Sequence, residues 1–366
     1  MDSIKTTENL ARYMNRQISI LVRQAWRSAW RQPRETVFLV QTVFNQRRAA
    51  RLRLANDKRG VHIPPFLIAS ITSRCNLFCT GCYARANQIC GEDRPDGRMS
   101  TERWCELFLE GEQLGISFIL LAGGEPLLNR PVLDQATQCH KIIFPVFTNG
   151  VLLDDEYASY FDQHRNLLPV LSLEGGAAET DERRGAGTYA MIEKAMQRLA
   201  DRQIFYGVSV TVTRQNLADV CSDAFCSELS HKGCSLIFFV EYVPVTSDAE
   251  DLAPGNDERI VFEQRLNQLR NRFADILMIA FPGDEKLTGG CVAAGRGFFH
   301  INSDGGAEPC PFSPFSDSSV LTGSLLQALE SPLFKKLDQA GLLLGEHKGG
   351  CQLFVHEEEV KLLLRE

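Results

Sequence analysis

The chain has no run of about 18 apolar residues, the least that a membrane-spanning helix needs. Its first residues, Met1 to Asn9, lack the basic-then-apolar shape of a secretory signal. Internal repeats and low-complexity tracts are also missing, so a cytoplasmic protein is expected. Positive charge is scarce: the formal net charge is -7 over 366 residues, which argues against a general nucleic-acid binder. With 44% hydrophobic and 23% charged residues, the composition excludes a disordered chain, a collagen and a small disulfide-stapled scaffold.

The charge is unevenly placed. Arg12 to Arg59 carries twelve Arg or Lys against two acids, Glu35 and Asp57, giving +10 and leaving -17 elsewhere. Apolar residues at three-to-four spacing predict helices over Arg12–Trp30 and Thr36–Arg53, with Pro33 as the break. Trp26, Trp30, Phe38 and Phe44 interleave with the arginines. Such an arm suits an anionic lipid surface, a lid, an oligomer contact, a clamp on an acidic partner, or a helix pair packed on the body.

After the arm, strand-like runs (66–71, 118–121, 145–148, 169–173, 207–213 and 236–243) alternate with helical stretches (101–114, 131–141, 155–164, 189–202 and 217–230). Six β-α units in series predict a parallel sheet, closed or nearly closed, with its chemistry at the strand C-terminal ends. The region 248–279 reads as a charged helical stretch. From Gly289 the character changes to Gly-rich turns, a strand-like 298–301 and a last helix after Cys351. The expected organisation is a basic helical arm (1–60), a barrel (61–247), a connecting helical segment (248–288) and a small C-terminal domain (289–366).

The sequence holds twelve cysteines, many for a compartment where disulfides rarely persist, and metal or redox chemistry is the better default. Cys75, Cys79 and Cys82 form a C-x3-C-x2-C loop directly after the first strand. Three thiolates there can hold three corners of a cubane and leave the fourth iron without a protein ligand, whereas a closed structural site wants four. Ala122-Gly123-Gly124-Glu125-Pro126 follows the second strand. Alone it would be an ordinary strand-end turn.

Together, in this order, these motifs resemble the radical S-adenosylmethionine (SAM) superfamily over residues 66–245. The resemblance implies an α/β fold, a partial (β/α)6 TIM-like barrel with an N-terminal helical arm. It also implies a [4Fe-4S] cluster on Cys75, Cys79 and Cys82, whose open iron is chelated by SAM. One-electron reduction then yields a 5′-deoxyadenosyl radical that abstracts a substrate hydrogen, fed by an external donor of flavodoxin or ferredoxin type. Gly123 and Gly124 would let backbone approach the cofactor, and Glu125 would accept from its ammonium. The branch resembled includes the molybdenum-cofactor cyclase and peptide-modifying enzymes. It implies cofactor contacts for Thr148, Ser172, Glu174, Arg214 (to the carboxylate) and Val243 (near adenine). Two places depart from the pattern: Glu174 stands where Asp is usual, and Gly81 stands where an aromatic usually precedes the third cysteine, with Tyr83 just after it.

Cys291, thirteen residues, Gly305, four residues, Cys310 and a later Cys351 resemble the twitch form of the auxiliary-cluster (SPASM) extension. Three cysteines leave one position, for His347, His356, a carboxylate or the substrate. Cys90, Cys105, Cys139, Cys221, Cys226 and Cys234 read as scattered buried thiols. The resemblance implies oxidation, crosslinking or cyclisation of a peptide, natural-product or cofactor precursor. The alternatives are a lipid or membrane-associated substrate, or a non-catalytic iron–sulfur electron carrier or scaffold.

Overall fold

A computed structural model of the chain describes residues 33–91, 96–245, 247–344 and 351–365. The predicted helix over 12–30, with Trp26 and Trp30, lies outside the described residues. Pro33–Asp57 is one helix.

Among the described residues ten strands form one sheet, in which seven parallel strands lie side by side in chain order. β1 (Phe66–Thr72), β2 (Phe118–Gly123), β3 (Phe144–Thr148), β4 (Leu167–Leu173), β5 (Gly207–Val212), β6 (Leu236–Glu241) and β7 (Leu277–Phe281) run parallel. Their near-continuous apolar sequences suit strands covered on both faces. Outward residues such as Leu67, Ile119, Val146 and Phe239 join the core beneath the helices. Phe66, Ile68, Phe118, Phe147 and Phe238, on the other face, line one shared cavity. The sheet therefore curls around a central space, as a partial barrel does.

The helices begin and end where their sequences direct. Ser100 caps Thr101–Leu114 by accepting from the Arg103 N–H, and Gly115 ends it at φ 95°. The same helix buries Trp104, Leu107, Phe108 and Gly111, one face at helical spacing. Asp154 and Ser222 cap Asp155–Gln163 and Asp223–His231 in the same way.

The expected barrel gains a seventh parallel strand. Helix Asn256–Arg272 stops before an apolar run, and Leu277–Phe281 pairs with β6 instead of continuing the charged helix. Five residues of Leu, Met, Ile, Ala and Phe carry no clear period, and a neighbouring strand edge decided the matter. Beyond it, β8 (His300–Ile301) runs parallel to β1, with Ile68 opposite His300, and antiparallel β9 (Gly306–Glu308) and β10 (Ser318–Ser319) complete the sheet. A buried polar chain crosses that joint. His300 Nε2 pairs with Ser70 Oγ at 2.8 Å and Nδ1 with Glu308 Oε2 at 2.6 Å. Buried polar groups must find partners, so this chain fixes how the C-terminal region sits on β1.

The described half of the arm packs on the body. Ala49 and Gln46 are buried, and a side chain at Gly115 would strike the Ala49 carbonyl at 2.7 Å. Arg53 donates to Gly115 O and, at 2.8 Å, to Ser117 Oγ, and burial draws its pKa down to about 10. No helix among the described residues is long and apolar enough to cross a membrane.

Arg53→Ala should lower the unfolding free energy by about 1–3 kcal/mol, because the Gly115 carbonyl and the buried Ser117 hydroxyl lose their donor. Urea denaturation measures this. An unchanged midpoint would mean that the helix rests on the barrel without bracing it.

Candidate active site

The site is built from the loops that follow β1 to β6. The cysteine loop after β1 and the Gly-Gly-Glu turn after β2 hold each other by backbone bonds. Gly124 N donates to Thr72 O at 2.9 Å and Glu125 N to Arg74 O at 2.8 Å. A Cβ on Gly123 would sit 2.2 Å from Thr72 O, and one on Gly124 2.0 Å from Arg74 O. These glycines are thus required by the neighbouring strand's backbone, while both also line the cavity. Gly81, at φ 66°, faces Tyr242, whose Oη would lie 2.4 Å from a Cβ there. The expected aromatic before Cys82 has no room, and Tyr242 from the end of β6 occupies the space.

Cys75, Cys79 and Cys82 are half-buried on that loop, and Cys79 and Cys82 line the cavity. Burial pushes the Cys75 thiol up to about 11 and raises Cys79, which Arg184 and Arg183 counter. Cys82 moves the other way: a hydrogen bond from the Cys90 thiol draws it well below the thiol range. Cys90, read as an isolated buried thiol, is therefore a neighbour of the cysteine loop. No spacing rule marks it: seven residues, a short helix and a turn, separate it from Cys82.

The other expected residues divide. Ser172, Gly123, Gly124 and Val243 line the cavity. Glu125 and Thr148 do not face it. The Glu125 carboxylate, buried, accepts from Leu127 N at 3.0 Å, Thr148 Oγ1 at 2.7 Å and Asn149 N at 2.7 Å. Burial nevertheless raises its pKa. It ties the β2 turn to the end of β3. Glu174 is also buried, and its Oε1 receives both Arg183 and Arg184. Its Oε2 is buried with no hydrogen-bond partner among the described residues. Arg214 pairs with Glu258 at 3.2 Å near the surface, its side chain half-exposed, and is absent from the cavity wall.

Two arginines that no motif marked stand where Arg214 was expected. Arg183 and Arg184, ending helix Ala177–Arg184 after β4, line the cavity. Arg183 Nη1 donates to Thr211 Oγ1 at 2.8 Å, and Arg184 Nη1 lies 3.9 Å from Cys79 Sγ. Burial opposes the Arg184 charge, but Glu174 and Cys79 outweigh it and raise its pKa.

The cavity, about 440 Å³, is mostly apolar. At one side Cys291, Cys310 and Cys351 share a narrow pocket with Glu285, Phe281, Phe312, Val243 and Gln352. Glu285, Val243, Phe281 and Phe312 line the large cavity too, so both thiol sets adjoin it. Burial raises Cys291 and Cys310 far above the thiol range and pushes Cys351 up to about 12. His356 pairs with Glu359 at 2.8 Å outside this pocket, and His347 lies outside the described residues.

Both thiol sets suit iron–sulfur clusters. Buried neutral thiols become thiolates when a cationic centre replaces their protons, and Arg184 adds positive charge beside Cys79. Among the described residues no three His, Cys, Asp or Glu converge on a point that would hold a single ion. In a cubane each thiolate takes a different iron, so the three sulfurs need not converge on one point. The pocket between Cys291, Cys310 and Cys351 is tight, about 10 Å³, so there the donor set and not the volume carries the fit.

Residues 69–223 match the Radical SAM superfamily. The mycofactocin maturase MftC of Mycobacterium tuberculosis is 32% identical over 186 residues, 49% of this chain and 45% of that protein. The AdoMet-dependent heme synthase of Methanosarcina barkeri is 23% identical over 309 residues, 77% of this chain and 87% of that protein. The chain thus spans less than half the length of the maturase it matches. Streptococcus suis SuiB bound to its precursor peptide SuiA shares the fold with a TM-score of 0.64 at 17% identity, over 83% of this chain and 76% of that one.

Gly124→Ala should displace the cysteine loop, because its Cβ meets backbone that cannot rotate away. We expect loss of most cluster iron from Cys75, Cys79 and Cys82 after anaerobic reconstitution, with helical content by circular dichroism kept. Full iron content would show that the two loops tolerate separation.

Proposed function

We propose that this chain, whose residues 69–223 match the radical SAM superfamily, is a maturase-type radical SAM enzyme acting on a peptide or cofactor precursor held in the barrel cavity. The observation that carries the reading is one cavity adjoined by two sets of thiols. An electron carrier has no use for such a cavity beside its clusters. The relatives named as a mycofactocin maturase and a heme synthase, and the SuiB fold bound to a precursor peptide, support the substrate class.

Cys75, Cys79 and Cys82 would hold the catalytic [4Fe-4S] cluster, and the Gly123–Gly124 ledge with Ser172 and Val243 would seat SAM. Bound together, cluster and SAM supply one-electron reductive cleavage and hydrogen abstraction, given an electron from a flavodoxin- or ferredoxin-type donor. The chain's own residues prepare the place. Arg183 and Arg184 present positive charge at the cavity wall, in the position to receive the SAM carboxylate. Glu174 holds both guanidinium groups in one orientation and keeps Oε2 for a ribose hydroxyl or ammonium. Phe66, Phe118, Phe147 and Phe238 line the cavity with apolar rings and would keep solvent-borne hydrogen-atom donors, such as thiols, away from the reacting group. Their apolar wall selects an apolar or aromatic reacting group. Cys291, Cys310 and Cys351 would hold the auxiliary cluster beside that group, where the electron left after oxidation can be taken up.

Three outcomes test the reading. Cys75→Ala, Cys79→Ala and Cys82→Ala should each abolish 5′-deoxyadenosine formation after anaerobic reconstitution and dithionite reduction. Undiminished product would sink it. Arg184→Gln should weaken SAM binding about tenfold or more, roughly 1.4 kcal/mol, and Arg214→Gln by less than about twofold; the reverse ranking would return the carboxylate contact to Arg214.

A further inference from the structure

The auxiliary site lacks a fourth thiol, and the residues around it narrow the choice. Among the described residues, the polar side chains on the wall of the narrow pocket besides the three cysteines are Glu285 and Gln352. A neutral amide is a poor ligand for iron, whereas a carboxylate is a common one. His356 is turned to Glu359 on the terminal helix and does not reach this wall.

Glu285 is also firmly placed. It lies on the turn Gly283–Thr288 that follows β7 and is 4% exposed. Its N–H donates to Pro282 O at 2.9 Å, and its carbonyl accepts from Gly290 N at 3.1 Å, one residue before Cys291. Its Oε1 accepts from Val292 N at 3.4 Å, one residue after Cys291. The neighbouring Asp284 locks the turn by accepting from Ala280 N at 2.9 Å and Arg270 Nη2 at 2.6 Å. The Glu285 side chain shares the pocket wall with Val243, Phe281 and Phe312, so the carboxylate stands beside the three thiols.

We infer that Glu285 is the fourth protein ligand of the auxiliary cluster, beside Cys291, Cys310 and Cys351. The inference rests on the proposed reading of those three cysteines as a cluster site. It has a functional consequence. Glu285 lines the large cavity as well as the narrow pocket, so its carboxylate closes the cluster on the side that faces the substrate. An auxiliary cluster closed in this way has no open iron for the substrate to coordinate. It would serve as an acceptor or conduit for the electron.

The test uses the full chain carrying Cys75→Ala, Cys79→Ala and Cys82→Ala together, so that only the auxiliary cluster is left. This parent should hold about four irons after anaerobic reconstitution, the content of one cubane. Adding Cys291→Ala, Cys310→Ala and Cys351→Ala should remove them; iron that stays would overturn the auxiliary-cluster reading itself. If that reading stands, Glu285→Ala should lower the content to about three irons and produce the oxidised electron paramagnetic resonance signal of a three-iron cluster. Glu285→Gln should behave likewise, and Glu285→Cys should restore about four irons with a shifted signal in the reduced state. Circular dichroism of Glu285→Ala, together with the Glu285→Cys rescue, separates ligand loss from misfolding. Iron content and spectra unchanged in Glu285→Ala would overturn the assignment. So would the three-iron signal arising from His347→Ala instead.

Discussion

The site depends on one close approach, between the backbone after β1 and the backbone after β2. Gly123 and Gly124 have no room for a Cβ because Thr72 O and Arg74 O stand there. The resulting bonds, Gly124 N to Thr72 O and Glu125 N to Arg74 O, fix the start of the cysteine loop to the neighbouring strand. Glu125 passes the constraint on. Its carboxylate takes the Asn149 N–H and the Thr148 hydroxyl, and Asn149 Nδ2 reaches back to Asn76 Oδ1 at 2.8 Å inside the cysteine loop. The loop that would carry a cluster is thereby held by two successive strands before any metal binds, and its geometry is set by the sheet register.

Electrostatics follow from burial. The thiols at both sites sit in surroundings of low dielectric, which favours their neutral form. Two features run against that trend. Arg183 and Arg184 bring positive charge to Cys79, and Cys90 lends a hydrogen bond to Cys82. Both stabilise sulfur anions, the form that binds iron. Glu174 makes the arginine pair tolerable by neutralising part of it, and Asn216 Nδ2 secures the β4 end by donating to Glu174 O at 2.8 Å and to Thr211 O at 2.8 Å. The same turn that sends Arg214 outward to Glu258 thus braces the residues that face inward.

The C-terminal region adjoins the barrel through a shared strand edge and not through a linker. β8 takes its register from β1, and the Ser70–His300–Glu308 chain pins it at a buried position. Cys310 follows two residues after Glu308, so the placement of one auxiliary thiol is tied to a barrel strand. Tyr83, next to Cys82, packs edge-on against Phe312, two residues past Cys310, with ring centres 5.0 Å apart. Aromatic contact of this kind joins the two thiol loops directly.

Local information in the sequence settled much of this. The C-x3-C-x2-C loop and the strand runs of β1 to β6 are short-range patterns, and the strands appear close to where their apolar runs placed them. The C-x13-G-x4-C pattern likewise brought Cys291 and Cys310 to one pocket, joined by Cys351. What the sequence could not settle depends on register between distant strands. Whether Glu125 faces a ligand or the β3 turn, and whether Arg184 or Arg214 meets the cavity, is decided by how the segments after β2, β4 and β5 turn once the strands are in register. β7 was invisible because five mixed apolar residues carry no period until a strand edge receives them. Cys90 and Glu285 were hidden for a related reason: each lies within eight positions of a site cysteine, Cys82 and Cys291, but at no ligand spacing, and only the folding of the short intervening turn brings it to the site.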